Sequence, residues 1–309
     1  MVRVIPFERP KLMVAKDLTL PGFGKDLVGR CYNFSDLDAA ALLAEEQSRN
    51  SRYATAPFDR DGNVLRFYPG GITIWSGFPG SGKTTMLRQL IAHTLARGSA
   101  VFVASLEEAP TSTLMRIAAT AAGTRDPSAH QVQWLMDAYQ NRLYLWAVTG
   151  LADHMALLGT IQALSHLGVK HAVIDSLACL DIRNDDFEEQ RQFANKCAAV
   201  ARMTQMHLHI VAHPRKLVSA SQALDLNDVA GARELGAIVD NVLFVSRGDA
   251  QGAGPSAAST PMCVSIRKQR HFNGYLGDVV GWYHRELCQC SAEQFPERAQ
   301  RYLPEDAYA

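Results

Sequence analysis

The sequence has no long apolar run, and this absence argues against a membrane protein. A helix needs about 20 apolar residues to cross a bilayer, and no stretch of the chain approaches that length. Residues 1–8 also lack the apolar centre of a signal peptide. We therefore expect a cytoplasmic protein with no membrane partner.

Neither an excess of one charge nor a cysteine framework is present. Lysine and arginine together number 31, equal to aspartate plus glutamate, so any site for a polyanion must be local. The six cysteines include no C-x-x-C pair and no nearby Cys/His quartet, which argues against structural zinc. With 309 residues, 47% of them hydrophobic, the chain suits one large α/β domain with extensions or two small domains.

The most informative segment is rich in glycine. Residues 77–84 read Gly-Phe-Pro-Gly-Ser-Gly-Lys-Thr and match G-x-x-x-x-G-K-[ST] without a mismatch. In this pattern, called a P-loop, backbone N–H groups surround phosphate oxygens, Lys83 reaches the β- and γ-phosphates, and Thr84 offers its hydroxyl to Mg²⁺. The sequence therefore predicts ATP or a dNTP as ligand, with Mg²⁺. The predicted nucleotide-binding residues are Gly77, Phe78, Pro79, Gly80, Ser81, Gly82, Lys83, Thr84 and Thr85.

From Gly70 onward, strand and helix patterns alternate. This alternation predicts an α/β fold with a mostly parallel sheet and helices on both faces. The predicted strands are 72–76, 100–106, 143–148, 171–174, 208–212, 242–245, 262–266 and 278–283. The predicted helices lie near 83–97, 110–122, 128–140, 153–167, 187–204 and 228–236.

The pattern divides the chain into three parts. Residues 1–65 form a short N-terminal extension, 66–290 the nucleotide-binding domain, and 291–309 a polar, loose tail. The extension contains one helical stretch, 34–48, which Asn33 or Ser35 could cap.

Acidic residues follow two of the predicted strands. Asp175 ends an apolar strand as a Walker B acid does, and such an acid holds the Mg²⁺ shell, although a strand-end aspartate can also be a simple turn cap. Glu107 and Glu108 follow the strand after the P-loop helix. A carboxylate at that edge can deprotonate the attacking water. Glu107 is the predicted base, and Glu108 fits better as a solvated acid at the start of a helix.

The strand at 208–212 is followed by a histidine and two cations. His213 could hydrogen-bond the γ-phosphate, and Arg215 and Lys216 open a loop that could contact a polyanion. A basic surface turn is the alternative.

These motifs, in this order, resemble the RecA-like replicative hexameric helicases. The shared segments are the P-loop, Ser-Leu-Glu, Val-Ile-Asp, Ala-His-Pro-Arg-Lys, Val-Asp-Asn-Val-Leu and Arg-Lys-Gln-Arg-His-Phe-Asn-Gly. The match is closest to the helicase half of Twinkle and of phage primase-helicases, and next to the C-terminal domain of DnaB. The resemblance implies that Glu107 is the catalytic glutamate, Asp175 the Walker B acid and His213 the γ-phosphate sensor. It also implies that Lys268 and Arg270 reach the neighbouring subunit's nucleotide.

The same resemblance implies partners. The stretch from Arg215 to Arg233 would be the loop that grips single-stranded DNA, with Arg215, Lys216 and Arg233 as its cations. We expect a homo-oligomer, a hexameric ring that moves 5′–3′ in the cytoplasm of a bacterium or phage-infected host, with a primase or a loader as a further partner. The 34–48 helix would be either a subunit-linking helix or a surface helix.

Two other functions remain open from the sequence. One is a recombination or repair ATPase of the wider RecA group. The other is a nucleotide-switched loader or scaffold that hardly turns over. Glu107, Asp175 and Arg270 argue against the second, because a pure switch has little use for a water activator and a cation acting in trans.

Overall fold

A computed structural model describes most of the chain. The described residues are 38–44, 54–59, 63–182, 186–214, 236, 238–248, 258–271, 273–294 and 296–308. The chain divides into two units, Met1–Ser51 and Arg52–Ala309. In the first unit, helix α1 spans 39–44 and is capped by Asp38, whose Oδ1 accepts from the backbone N–H of Ala41 at 2.9 Å. The caps predicted above, Asn33 and Ser35, and the rest of that predicted helix lie outside the described residues.

The second unit is an α/β domain. Its strands are β1 (Ala54–Thr55), β2 (Arg66–Phe67), β3 (Ile72–Ser76), β4 (Ala100–Ser105), β5 (Leu143–Leu145), β6 (Val169–Asp175), β7 (His207–Val211), β8 (Asn241–Arg247), β9 (Ser259–Gln269), β10 (Gly277–His284) and β11 (Gln289–Ser291). Its helices are α2 (Lys83–Ala96), α3 (Pro110–Ala122), α4 (Ala129–Tyr139), α5 (His154–Ser165) and α6 (Phe187–Thr204). Short 3₁₀ turns occur at Leu177–Cys179 and Glu305–Tyr308.

Among the described residues, nine strands form one sheet in the order β11-β10-β9-β8-β3-β7-β6-β4-β5. The six strands from β8 to β5 are parallel, and β9, β10 and β11 extend the sheet antiparallel to their neighbours. This arrangement confirms the predicted RecA-like α/β fold with a mostly parallel sheet. Because parallel strands end at one common edge, the loops after β3, β4, β6 and β7 meet there.

An apolar core covers each face of the sheet. On one face α2, α3 and α4 pack on alternate strand residues such as Trp75, Val103 and Val173. On the other face α5 and α6 pack on residues such as Ile74 and Ile174. Strands β3 and β4 are therefore buried on both sides, as their mostly apolar sequences indicate. No helix in the described ranges is both long and apolar enough to cross a membrane.

The structure corrects the expectation of a loose tail after Ser291. Tyr302, Leu303 and Ala307 are buried. The hydroxyl of Tyr302 accepts a hydrogen bond from Gln89 Nε2 at 3.1 Å. The backbone N–H of Tyr302 donates to the Ala121 carbonyl at 3.3 Å. A few apolar side chains thus anchor a mostly polar segment on the α2–α3 layer.

Strand lengths also differ from prediction at the edges. Strand β9 covers Ser259–Gln269 although only 262–266 was predicted, because Met262, Val264 and Ile266 alternate with partly exposed residues along an antiparallel strand. Strands β1, β2 and β11 have three residues or fewer and left no pattern in the sequence. All but one residue of the predicted helix 228–236 lies outside the described residues.

Candidate active site

The P-loop connects β3 to α2 and depends on glycine geometry at two positions. Gly77 has φ 143°, and a Cβ there would lie 2.2 Å from the Val245 carbonyl oxygen of neighbouring β8. Gly82 has φ 99° and is the residue from which α2 begins. A side chain is strained at either conformation. The loop can therefore pass close to β8 and still turn into a helix whose N-terminus favours anions.

Lys83 lies buried inside the loop. Its Nζ donates to the carbonyl oxygens of Gly77 at 2.7 Å and Phe78 at 3.0 Å. Burial lowers the pKa of Lys83, and the charges of Asp175 and Glu107 oppose that shift. The Ser81 hydroxyl is buried without a hydrogen-bond partner in the described part of the chain. A buried ammonium and an unused hydroxyl are groups that phosphate oxygens would satisfy.

Thr84 and Asp175 supply oxygen atoms suited to Mg²⁺. Thr84 Oγ1 donates to Asp175 Oδ2 at 2.8 Å. Asp175 is 7% exposed, and burial raises its pKa while the hydrogen bond from Thr84 lowers it. Magnesium prefers one or two carboxylate or hydroxyl oxygens together with substrate phosphates. This pair next to the P-loop fits that requirement.

Glu107 faces the same edge of the sheet. Its Oε1 accepts from the hydroxyl of Ser176 at 2.5 Å and lies 3.5 Å from Nε2 of His213. The structure thus brings Glu107 and His213 together with Lys83, Thr84 and Asp175, although they come from four different loops or strand ends.

Glu108 points elsewhere. Both of its carboxylate oxygens accept from Arg88 Nη2, at 2.9 and 3.0 Å, and Arg116 Nη1 lies 3.4 Å from Oε1. The expectation that Glu108 is simply solvated is therefore wrong, since it forms an ion pair between the end of β4 and the P-loop helix.

Lys268 and Arg270 lie at the opposite edge of the sheet. Strand pairing places them there, because Gln269 pairs with Asn241 of β8 and Asn241 pairs with Thr73 near the start of β3. Thr73 lies about 13 Å from Gly77 along β3. Lys268 Nζ donates to the Gly236 carbonyl at 2.6 Å, and Arg270 Nη1 lies 3.4 Å from Asp240 Oδ1. The structure therefore does not bring these two cations to the P-loop of their own chain. The predicted DNA-binding cations Arg215, Lys216 and Arg233 lie outside the described residues.

A cavity of about 530 Å³ adjoins the P-loop at Thr85. Arg88, Arg116, Arg125 and Tyr283 contribute to its wall. Its volume is in the range of small-molecule sites, and it lies next to the P-loop.

The sequence did not predict that Ser176, Arg88 and Tyr283 lie at or beside the candidate site. Arg88 stands four residues after Thr84 on α2, so helical spacing could have placed it on the same face. Ser176 and Tyr283 gave no such signal, because their positions depend on which strands are neighbours in the sheet.

A glycine loop between a central strand and a helix, beside two acids at the edge of a parallel sheet, defines a P-loop ATPase of RecA-like fold. The chain belongs to the AAA domain family, whose model matches residues 39–218. No curated protein sequence matches the chain.

Solved structures support the fold assignment. One of them is an ATPase domain, similar with a TM-score of 0.66 and 16% identity, over 82% of this chain and 99% of that one. A DnaB-like replicative helicase, solved for its interactions with primase, is similar with a TM-score of 0.63 and 16% identity, over 83% of this chain and 67% of that one. The fold is thus that of DnaB-like replicative helicase ATPase domains.

Proposed function

We propose that this protein hydrolyses ATP or a dNTP with Mg²⁺ and uses the energy to move 5′–3′ along single-stranded DNA as a hexameric helicase. The observation that carries the hydrolysis part of the proposal is the position of Glu107. One carboxylate oxygen is held by Ser176, 2.5 Å away, at the edge where Lys83 and Thr84 stand. A protein that only binds nucleotide has no need of a fixed carboxylate there.

Each residue of the site has a role in this proposal. Lys83 exchanges the carbonyls of Gly77 and Phe78 for phosphate oxygens, and Thr84 with Asp175 holds Mg²⁺. The bound ion supplies positive charge that neutralises and orients the phosphates. Glu107 accepts the proton of the attacking water. His213, which lies beside the same carboxylate, donates to the γ-phosphate and registers its loss.

The edge on which Arg270 lies supports the proposal of an oligomer. A guanidinium on the edge away from its own P-loop can stabilise phosphoryl charge only at another subunit's site. Arg270 and Lys268 would complete that site across a subunit interface. A ring of six such interfaces is the assembly we propose.

The DNA part of the proposal rests on the fold and on the family resemblance. Arg215, Lys216 and Arg233 would contact single-stranded DNA in the channel of the ring. Because these cations are few, much of the contact would come from backbone amides. A primase or a loader is the proposed protein partner.

Hydrolysis and imaging together test the proposal. Steady-state hydrolysis is measured with and without single-stranded DNA, and the protein is imaged by electron microscopy with a nonhydrolysable nucleotide. We expect rings and DNA-stimulated turnover. Filaments would favour a recombination or repair ATPase, and nucleotide binding without turnover would favour a switched loader.

A further inference from the structure

Strand register places Glu107 beside Ser176. Strands β4 and β6 are parallel neighbours in which Ser105 pairs with Asp175. The pairing continues one step further, because the Leu106 N–H donates to the Asp175 carbonyl at 2.7 Å. Glu107 and Ser176 therefore leave the sheet side by side, each immediately after the last bonded residue of its strand.

The contact between them involves only one end of the carboxylate. Ser176 is 0% exposed, so its hydroxyl has few directions in which to donate, and it donates to Glu107 Oε1 at 2.5 Å. A hydroxyl that donates to a carboxylate forms a charge-assisted hydrogen bond, which is stronger than one between neutral groups. In the described ranges Oε2 of Glu107 has no hydrogen-bond partner, and the side chain is 47% exposed. The contact fixes the carboxylate and leaves its second oxygen open.

We propose that Ser176 is a positioning residue for hydrolysis, which rests on the proposed role of Glu107 as the base. A half-exposed glutamate would otherwise sample several rotamers, whereas proton transfer requires the carboxylate to be held in one orientation toward the attacking water. Ser176 holds Oε1, so Oε2 remains aimed. Ser176 also follows Asp175 directly in the chain. Through Ser176, the proposed base Glu107 is therefore linked to the end of β6, the strand that carries the acid proposed to hold Mg²⁺.

The first test removes the hydroxyl. Ser176→Ala is expected to lower kcat by about 10- to 100-fold, the loss typical of one hydrogen bond to a charged group. The nucleotide Kd and the melting temperature should change little, because Lys83 and Thr84 are untouched. Ser176→Cys keeps a similar side-chain volume with a weaker donor, so its kcat should lie between those of Ser176→Ala and the unmodified protein. This second variant keeps the test valid if Ser176→Ala fails to fold.

Thr94→Val is the matched control. Thr94 is 3% exposed, and its hydroxyl has no hydrogen-bond partner within the described residues. It lies near the end of α2 away from the P-loop. This change also deletes a buried hydroxyl, and it should leave kcat as in the unmodified protein.

A double-variant cycle separates positioning from general damage. If Ser176 acts only through Glu107, Ser176→Ala should slow single-turnover hydrolysis no further once Glu107→Gln is present. A purely structural role would produce the same fold loss in both backgrounds.

The outcomes distinguish this inference from the function on which it rests. Unchanged kcat in folded Ser176→Ala, with Glu107→Gln inactive, would overturn the positioning role alone. A higher kcat would also overturn it, since the contact would then restrain the base. Full activity of Glu107→Gln would overturn the proposed base itself.

Discussion

Thr84 donates a hydrogen bond to Asp175, Oγ1 to Oδ2 at 2.8 Å, across 91 positions of sequence. It joins the first turn of α2 to the end of β6, two elements that are separated by β4, α3, α4, β5 and α5 in the chain. The last residue of the P-loop, Thr84, is thus in direct contact with Asp175, the acid proposed to hold Mg²⁺.

Lys83→Ala should abolish hydrolysis and weaken nucleotide binding. A hydrogen bond to a charged group contributes about 1.5–3 kcal/mol, so the nucleotide Kd should rise about 10- to 150-fold. Binding of a fluorescent nucleotide and phosphate release measure the two effects. Lys170→Ala, at an exposed position at the start of β6, is the control and should behave as the unmodified protein. Turnover that survives Lys83→Ala would refute the site.

Glu107→Gln and Glu108→Gln form a matched pair of neighbouring changes. The amide at 107 keeps the size of the side chain but cannot take a proton, so hydrolysis should fall by about two to four orders of magnitude while nucleotide still binds. The change at 108 weakens the ion pair with Arg88 and should affect thermal stability more than kcat. The reverse result would move the base by one residue.

Arg270→Ala should bind nucleotide normally and hydrolyse it poorly. Arginines that act in trans contribute about three to five orders of magnitude in related phosphoryl transfers. When this variant is mixed with Lys83→Ala, some interfaces should pair an intact P-loop with an intact Arg270. Part of the activity should then return. If mixed assemblies are demonstrated and remain inactive, the trans role is wrong.

Single-stranded DNA should bind only with nucleotide present and more weakly as salt rises. In a plot of the logarithm of the binding constant against the logarithm of the salt concentration, each phosphate of single-stranded DNA that the protein neutralises makes the slope more negative by about 0.7. Arg215→Ala combined with Lys216→Ala should therefore weaken binding and flatten this dependence while DNA-free hydrolysis persists. Fluorescence anisotropy across a salt series measures both quantities. An unchanged affinity would mean that the DNA site lies elsewhere, and the basic run 267–270 would be the next candidate.

The buried histidines of the neighbouring strands β6 and β7, His171, His207 and His209, should make the fold sensitive to acid. Trp75 Nε1 donates to His209 Nδ1 at 3.3 Å, and His209 Nε2 lies 3.2 Å from His171 Nδ1. Because an indole N–H can only donate, His209 accepts at Nδ1 and donates from Nε2 to His171, so both rings are neutral. Burial lowers the pKa of His171 to about 3 and of His207 to about 4, and it holds the pKa of His209 well below its usual value.

The sign of the pH effect follows from these lowered values. Below about pH 6.5 the unfolded chain binds protons that the folded protein does not, so the free energy of unfolding falls as the pH falls. The contribution of these histidines to the free energy of unfolding is complete above that pH. It decreases toward pH 4 by about 1.4 kcal/mol per pH unit for each histidine. His171→Asn keeps an acceptor at the δ position and should reduce the slope by one such step in urea titrations. The exposed His166→Asn should not change it.

The sequence by itself determined the parts of the protein that depend on local spacing. The P-loop, strands β3–β10 and helices α2–α6 follow from residue pattern, because glycine geometry and apolar periodicity act within a few residues. Asp175 and Glu107 could be predicted as site residues for the same reason, since each stands at the end of an apolar strand.

Tertiary structure alone decided which of these local elements meet. Placing β6 between β4 and β7 puts Ser176 on Glu107 and Thr84 on Asp175, and continuing the sheet through β9 puts Arg270 at the opposite edge. The burial of Tyr302 in a polar tail also required the α2–α3 layer to be present. These relationships depend on strand order and on surfaces formed by distant segments, and no short stretch of residues encodes either of them.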